Sequence, residues 1–285
     1  MKPAAFEYVV ADSVEMAVAS LAQAGGDAKI IAGGQSLVPM LNFRLLRPSV
    51  LVDINRIPDL AYVREDGGVV RIGALTRHHQ LETSPVIARH FPVLTEAMAH
   101  VAHLAIRNRG TIGGSLSHAD PAAELPMMAL LLDAELRVVS ASGARTVAAR
   151  DFFRDALSVD LAEDEIVTEV VLPKLPNTGW GFAEVARRSG DFALAAVAAT
   201  LTLSDGKIAR ARVAMTGVAP TARRVTEAER LLIGQRLDDG VDSDVIEAVR
   251  AATEPPTDLH ASAEYRRHLV GVLAGRALAA AWGRA

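Results

Sequence analysis

The sequence predicts an α+β fold in two parts, and three patterns support this prediction. Short strand patterns alternate with helical patterns through the first half of the 285 residues, which is typical of mixed folds rather than helical bundles. A stretch rich in proline and glycine follows over residues 173–179 and indicates a domain boundary. Beyond it, a hairpin pattern precedes three helical patterns. We therefore expect one domain over residues 1–175 and a smaller α+β domain, an antiparallel sheet covered by helices, over residues 178–285.

The composition limits the classes of protein that the chain can represent. It contains no cysteine, which excludes disulfides, cysteine-ligated zinc and iron–sulfur clusters held by this chain. Its net charge of −4 gives no electrostatic reason to expect a nucleic acid partner. The N-terminus lacks an apolar signal core, and the longest apolar run, over 192–203, is too short to span a bilayer. We therefore expect a cytoplasmic protein with no membrane span and no nucleic acid partner.

The elements of the first half follow from caps, turns and the spacing of apolar residues. Ser13 is placed to cap a helix over 14–24. Strands are predicted at 8–11, 29–32, 50–54, 69–73 and 165–172, with a hairpin over 136–147. Helices are predicted at 40–46, 92–106 and 121–132, and Thr76 is predicted to cap a further short helix. We expect His78 and His79 to lie on the surface of that short helix.

The second half is predicted to begin with antiparallel strands and to end with helices. Strands at 194–203 and 208–216 flank Ser204-Asp-Gly-Lys207, a pattern typical of a tight hairpin. Helices are predicted at 222–233, 243–252 and 261–282, where they can cover one face of the sheet.

Two glycine motifs are the main functional signal in the sequence. They are Ala32-Gly-Gly-Gln-Ser36 and Thr111-Ile-Gly-Gly-Ser115, and each is interpreted as a Gly-Gly turn before a helical run. Glycines let the backbone approach a phosphate, and successive N–H groups can then donate to it. Neither motif has the Rossmann or Walker spacing. An ordinary turn is the alternative for each motif alone, whereas two such motifs favour a ligand with two phosphates.

The same motifs resemble those that bind FAD in the medium subunits of molybdenum hydroxylases, the family of xanthine dehydrogenase and carbon monoxide dehydrogenase. The resemblance extends over nearly the whole chain. It includes Leu51-Val-Asp-Ile-Asn55, Ile72-Gly-Ala-Leu-Thr76, His118-Ala-Asp-Pro-Ala-Ala-Glu-Leu125, Arg187-Arg-Ser-Gly-Asp-Phe192 and Ala263-Glu-Tyr-Arg-Arg267. It implies an FAD-binding domain of the vanillyl-alcohol oxidase (PCMH) type, followed by the C-terminal domain of carbon monoxide dehydrogenase flavoproteins.

The resemblance also implies a set of FAD-binding residues and no catalytic residue on this chain. Glu124 matches an acidic position near FAD, Val167 an apolar position beside the adenine, and Phe192 a tyrosine position at the flavin ring. Gln35 and Ser115 stand where the family often has His and Asn, and both can still donate hydrogen bonds. His118 and Asp120 either contact the cofactor or cap the following helix. The implied cofactor site comprises Lys29, Ile30, Ala32, Gly33, Gly34, Gln35, Ser36, Leu37, Thr111, Ile112, Gly113, Gly114, Ser115, His118, Asp120, Glu124, Val167 and Phe192.

The resemblance to this family implies that the function of the chain is electron transfer. FAD would be bound without a covalent link and would pass electrons from [2Fe–2S] clusters to an external acceptor. Those clusters would lie in a small partner subunit and the molybdopterin in a large one, within a dimer of heterotrimers. The oxidised substrate (carbon monoxide, an N-heterocycle or an aldehyde) stays open. The alternatives are a free-standing FAD-dependent oxidase or reductase, and a flavin- or nucleotide-binding module without activity of its own.

Overall fold

The N-terminal segment forms a small parallel sheet in the structure, a computed structural model that describes residues 2–285. Its elements are β1 (Glu7–Val10), α1 (Val14–Ala24), β2 (Ala28–Ile31), α2 (Leu37–Asn42) and β3 (Val50–Asp53), with strand order β1-β3-β2. The Ser13 hydroxyl accepts a hydrogen bond from the Met16 N–H at 3.1 Å, and Gly25 ends α1 with φ 56°. The predicted caps of this helix are therefore confirmed.

The second sheet has five antiparallel strands and completes the first half of the chain. The strands of this region are β4 (Val63–Asp66), β5 (Val69–Gly73), β6 (Glu135–Ser140), β7 (Gly143–Ala148), β8 (Phe153–Asp155), β9 (Ser158–Val159) and β10 (Ile166–Pro173). The order in the five-stranded sheet is β4-β5-β10-β6-β7, and β8 and β9 form a separate two-stranded hairpin that precedes β10.

Seven short helices lie between these strands in the described chain. They are α3 (His78–Thr83), α4 (Pro85–His90), α5 (Pro92–His100), α6 (Leu104–Arg107), α7 (Ile112–His118), α8 (Glu124–Leu131) and α9 (Ala149–Phe152). Every residue of α8 is buried, because the helix packs against α5, α7 and α9 and also against the C-terminal sheet.

The C-terminal part is a four-stranded antiparallel sheet with three helices. Its elements are β11 (Thr178–Ala186), β12 (Ala193–Ser204), β13 (Lys207–Thr216), β14 (Arg223–Arg224), α10 (Thr226–Leu232), α11 (Ser243–Ala251) and α12 (Ala263–Trp282). The β12–β13 hairpin is confirmed, and both central residues of its turn, Asp205 and Gly206, have the positive φ that this tight turn requires.

Side chains of β12 alternate between two cores. Ala196 and Ala198 pack with the α5 and α8 side of the protein, while Ala195 and Val197 face α12. The loop before α8 is also tied to this sheet, because the Thr216 hydroxyl donates to the Pro121 carbonyl at 2.7 Å. The predicted α+β class is confirmed. None of the helices in residues 2–285 has the length and apolar character needed to cross a bilayer.

Several predicted element bounds are wrong. The helix expected over 40–46 is α2, over 37–42, and that expected over 121–132 begins at Glu124. The helix expected over 92–106 ends at His100, because Ala102 has φ 46°. Thr76 does not cap α3: its hydroxyl donates to the Tyr62 carbonyl, and Arg77 stands at the cap position. Strand β11 was not predicted.

Candidate functional site

The two glycine motifs lie against each other, although about 75 residues separate them in the sequence. Their contact is between main chains at Gly33. A Cβ atom on this residue would lie 2.3 Å from the Arg109 carbonyl oxygen and 2.9 Å from the Gly110 Cα. Only glycine allows this approach. The fold therefore brings the motifs together, as a shared ligand requires.

The first motif presents a run of backbone donors. Among the residues that the structure describes, none accepts a hydrogen bond from the N–H groups of residues 33–37. The Ser36 hydroxyl makes no capping bond either. Gly34 has φ 71°, and the Gln35 amide folds back to donate to the Gly33 carbonyl at 2.8 Å. This segment can therefore donate several hydrogen bonds to an acceptor-rich anion.

The second motif differs from its prediction, because Gly113 and Gly114 lie in the first turn of α7 rather than in a turn before the helix. Its backbone donors are already used. The Ile112 and Gly113 N–H groups donate to the Thr76 and Ala74 carbonyls, at 3.1 and 2.9 Å. The Gly114 N–H donates to the Thr111 hydroxyl at 3.1 Å. The motif offers a ligand the exposed surface at Gly114 and the Ser115 hydroxyl instead of a row of free N–H groups.

The segment before α3 holds the second motif in place. Arg77 and Thr111 form an isolated antiparallel bridge, and the His78 N–H donates to the Gly110 carbonyl at 2.9 Å. His78 is buried with 6% exposure, so its predicted surface position is wrong. Burial lowers its pKa to about 4, and the neutral ring lies with Nε2 3.0 Å from the Thr111 carbonyl oxygen. The neutral His78 ring therefore donates a hydrogen bond to the Thr111 carbonyl and helps to hold the second motif in place.

Two further residues, Asn55 and Arg77, connect the motifs through their side chains. The Asn55 amide donates to the Ala32 carbonyl at 2.8 Å and accepts from the Arg77 guanidinium at 2.7 Å. The same guanidinium donates to the Arg109 carbonyl at 2.5 Å. Sequence reasoning did not single out either residue. Asn55 stood in one of the segments that carried the resemblance, and this was the only available signal.

Other predicted residues of the first motif lie in β2 or at the start of α2. Lys29 is an exposed residue of β2, next to the half-buried Ile30, and Leu37 is the first residue of α2. The structure therefore places them at the two ends of the open donor run.

His118 and Asp120 lie at the other end of α7 from the glycines. His118 is the last residue of the helix and is partly exposed. The Asp120 carboxylate accepts from the Ala122 N–H at 2.9 Å and so shapes the turn that leads to α8. This contact favours the structural alternative for Asp120.

Glu124 and an unpredicted acid, Glu184, are buried between α8 and β11. Burial raises the pKa of Glu124 to about 7 and that of Glu184 to about 8, and in the latter the nearby Glu124 charge adds to the effect. Glu184 has one carboxylate oxygen 3.8 Å from the His100 Nδ1, while the other has no partner in the described residues.

Val167 and Phe192 occupy very different surroundings. Val167 is a core residue of β10 with 5% exposure. The next residue, Thr168, accepts from the Ala74 N–H at 2.9 Å, and Ala74 in turn packs against Gly113. Phe192 is 62% exposed in the loop between β11 and β12. An aromatic ring with this exposure is available to pack against a ligand or a partner.

Comparison with known proteins identifies the chain. Residues 4–175 match the family described as "FAD binding domain in molybdopterin dehydrogenase", and residues 180–281 match the "CO dehydrogenase flavoprotein C-terminal domain". The chain is 48% identical to the 6-hydroxypseudooxynicotine dehydrogenase complex subunit alpha of Paenarthrobacter nicotinovorans, over 100% of this chain and 97% of that protein. It is 42% identical to the nicotine 6-hydroxylase medium subunit of the same organism, over 100% of both chains.

The fold is also that of a solved structure. A chain of carbon monoxide dehydrogenase from Hydrogenophaga pseudoflava, in a form that lacks the Mo-pyranopterin moiety, superposes with a TM-score of 0.97 and 40% identity. The match covers 100% of this chain and 99% of that one. The chain therefore belongs to the FAD-binding medium subunits of the molybdenum hydroxylases, a family of oxidoreductases.

Proposed function

We propose that this chain is the FAD-carrying electron-transfer subunit of a multi-subunit molybdenum hydroxylase. FAD, when bound, accepts and releases electrons singly or in pairs, which suits a position between [2Fe–2S] clusters and an external acceptor. The chain itself supplies binding and orientation. Family membership supports the cofactor, and the absence of cysteine means that any iron–sulfur cluster belongs to another chain.

The open N–H groups of residues 33–37 are the single observation that carries the proposal. An FAD diphosphate is rich in acceptors, and this segment lacks internal acceptors for its donors. The Gly33 contact with Arg109 places the surface of the second motif alongside. The residues present therefore fit the cofactor of the family.

We assign the two motifs unequal roles in this proposal. The first motif would donate backbone hydrogen bonds to the diphosphate, with Gln35 and Ser36 in support. The second would provide close approach at Gly114 and a hydroxyl from Ser115. The full proposed site comprises Lys29, Ile30, Ala32, Gly33, Gly34, Gln35, Ser36, Leu37, Thr111, Ile112, Gly113, Gly114, Ser115, His118, Asp120, Glu124, Val167 and Phe192.

The proposed partners are a small subunit with two [2Fe–2S] clusters and a large molybdopterin subunit, assembled as a dimer of heterotrimers. Relatives named for nicotine derivatives and for carbon monoxide resemble this chain along its whole length. Such breadth is expected if the substrate is bound by another subunit. Co-purification of a cysteine-rich small chain and a much larger chain would support this assembly, and turnover of a small organic substrate by this chain alone would contradict it.

FAD binding is tested by the visible absorption of the purified chain and by the Gly114→Val variant. We expect flavin bands in the wild type, or their appearance after incubation with FAD. The valine should remove FAD because it covers the surface at Gly114. Gly114 has ordinary helical φ, and its Cβ position would lie 2.8 Å from one atom, the Thr111 hydroxyl. This side chain can shift, so the apo-protein should still fold with some loss of stability.

Gly68→Val is the matched control, because no atom lies within 4 Å of its Cβ position. We expect it to bind FAD as the wild type does. Full flavin occupancy in Gly114→Val would rule out the proposed role of the second motif. A wild-type chain that takes up no FAD would overturn the proposal as a whole.

A further inference from the structure

The hydrogen bonds of Asn55 and Arg77 form a continuous line between the two glycine motifs. The line runs from the Ala32 carbonyl through the Asn55 amide and the Arg77 guanidinium to the Arg109 carbonyl, with donor–acceptor distances of 2.8, 2.7 and 2.5 Å. Neither side chain belongs to a motif, yet the Ala32 carbonyl directly precedes Gly33 of the first motif, and the Arg109 carbonyl lies two residues before Thr111, the start of the second. The line therefore fixes the spacing of the two main chains.

The orientation of Asn55 is fixed by its own neighbour. Its backbone N–H and its side-chain amide both donate to one carboxylate oxygen of Asp53, at 2.8 and 2.6 Å. The other oxygen of Asp53 accepts from the Tyr8 hydroxyl. The amide nitrogen thus faces two acceptors while the amide oxygen faces the guanidinium of Arg77. A flipped amide would oppose like groups on both sides.

The line also orients a donor of the proposed cofactor site. A peptide unit is planar, so the Ala32 carbonyl and the Gly33 N–H point in fixed, opposite directions. When Asn55 holds the carbonyl, it sets the direction of this N–H, which is the first of the open run. The Gln35 amide does the same for the next unit by donating to the Gly33 carbonyl. Side chains that do not face the ligand can therefore align the donors that do.

Arg77 is suited to this task by shape rather than by charge alone. Its guanidinium is partly buried and presents two N–H groups to two different acceptors, one main-chain and one side-chain. A lysine would keep the charge but offers no rigid fork. Its own backbone is held by the bridge to Thr111 and by a hydrogen bond from its N–H to the Gln80 side chain at 2.9 Å.

We propose that Asn55 and Arg77 are positioning residues for FAD, which join the two motifs and align the Gly33 N–H without touching the cofactor. This inference rests on the proposed function, because it assumes that FAD binds at the motifs. It predicts that FAD affinity depends on the line of hydrogen bonds, whereas the stability of the apo-protein depends on it much less.

The test measures the dissociation constant of FAD and the melting temperature of the apo-protein for the full chain and its variants. We expect Arg77→Met, Arg77→Lys and Asn55→Ala each to weaken FAD binding by roughly 10-fold to 100-fold. Because Arg77 and Asn55 form one line, the double variant Asn55→Ala with Arg77→Met should bind about as weakly as either single variant. The melting temperatures of the apo-variants should fall no further than that of the control variant, which is described next.

Arg224→Met is the matched control. Arg224 also donates to a carbonyl, that of Leu130 at 3.2 Å, and pairs with Glu229 and Asp133 away from both motifs. We expect it to lower the melting temperature while leaving the affinity for FAD unchanged. A loss of FAD binding in this control would show that general destabilisation explains the effect.

Two other outcomes would overturn the inference. If Arg77→Lys binds FAD as well as the wild type while Arg77→Met does not, charge alone is at work. If Asn55→Ala binds FAD normally, the line has no role in positioning, and this variant still decides the matter if Arg77→Met fails to fold. A wild type that binds FAD keeps the proposed function intact in both cases, whereas a wild type without FAD binding overturns the function itself.

Discussion

Individual motif glycines differ in what their surroundings demand. Gly33 and Gly113 are packed against main chain, since a Cβ atom would lie 2.3 Å from the Arg109 carbonyl oxygen and 2.9 Å from the Ala74 carbonyl oxygen, respectively. Gly34 is required by its φ of 71°. Among these four glycines, Gly114 alone has neither a main-chain atom close to its Cβ position nor a positive φ. Three of the four are therefore needed for the local backbone structure, whereas Gly114 is exposed.

Gly113→Ala should destabilise the protein, because the new methyl group would also lie 2.6 Å from the Ala74 Cβ. We expect the free energy of unfolding to fall by about 1–3 kcal/mol. Gly275→Ala in α12 is the control, since its nearest neighbour, Ile246, lies 3.9 Å away. It should gain about 0.5–1 kcal/mol from helix propensity. Urea denaturation of both variants measures the difference, and equal effects would contradict the packing argument.

Helix boundaries are decided by contacts between elements. The apolar pattern continues past His100, yet α5 stops there, and the chain turns through Ala102 before α6 begins at Leu104. The Arg107 guanidinium donates to the carbonyls of Val101 and Ala102, at 3.0 and 2.9 Å, and so satisfies groups that a continuing helix would have bonded itself. The spacing of apolar residues within one segment cannot show where such a helix ends, because the end depends on contacts with other segments.

Arg107→Met should loosen the turn between α5 and α6. The guanidinium also pairs with Glu82 of α3 at 2.9 Å and is mostly buried, so we expect a loss of about 1–3 kcal/mol in the free energy of unfolding. Arg89→Met removes a single exposed pair with Glu65 and should change stability by less than about 0.5 kcal/mol. Thermal and chemical unfolding of the two variants test this, and a smaller effect at Arg107 than at Arg89 would refute it.

At the scale of the whole molecule, the two halves meet across buried ionisable groups. Glu184 of β11 faces His100 of α5 and lies near Glu124 of α8, and burial raises the pKa of both acids while it lowers that of His100. The division at residues 175–178 stays a prediction, but the core on the α5 and α8 side includes Phe182 and Ala214 from beyond that division. Docking of the halves is thus coupled to protonation.

The sign of the pH effect follows from the raised pKa of Glu184, about 8. The folded protein holds this proton more tightly than the unfolded chain, so the stabilisation is present at acidic pH and is lost as the pH rises towards 8. His100 has a lowered pKa and acts oppositely only up to its ordinary value near 6.5. Glu124, with a pKa of about 7, acts in the same direction as Glu184 but is already half ionised at pH 7. Between pH 7 and 8, Glu184 therefore makes the larger contribution to the loss of stability.

Chemical denaturation of the apo-protein should show a free energy of unfolding that falls between pH 7 and 8, by at most about 1.4 kcal/mol per pH unit. Glu184→Gln should remove most of this slope, because the amide does not ionise. Glu15→Gln, an exposed position in α1, should leave the slope unchanged. An unaltered slope in Glu184→Gln would show that this carboxyl is not the group that titrates.

Local sequence information determined much of this protein. The cap of α1 and the hairpin turn at Asp205 depend on neighbouring residues, so the sequence predicted them. The sequence also contained the two glycine motifs, although it did not predict that the glycines of the second lie in a helix. The resemblance to the molybdenum hydroxylase flavoproteins rested on these local strings, and the family was confirmed.

Only the tertiary structure decided which backbone N–H groups of the two motifs are free. Whether an N–H group is free depends on acceptors far away in the chain: Thr76 and Ala74 occupy the donors of the second motif, whereas the first motif keeps its own. Asn55, Arg77 and the buried His78 gain their roles in the same way, because hydrogen bonds and burial are properties of residues that meet only in the folded chain.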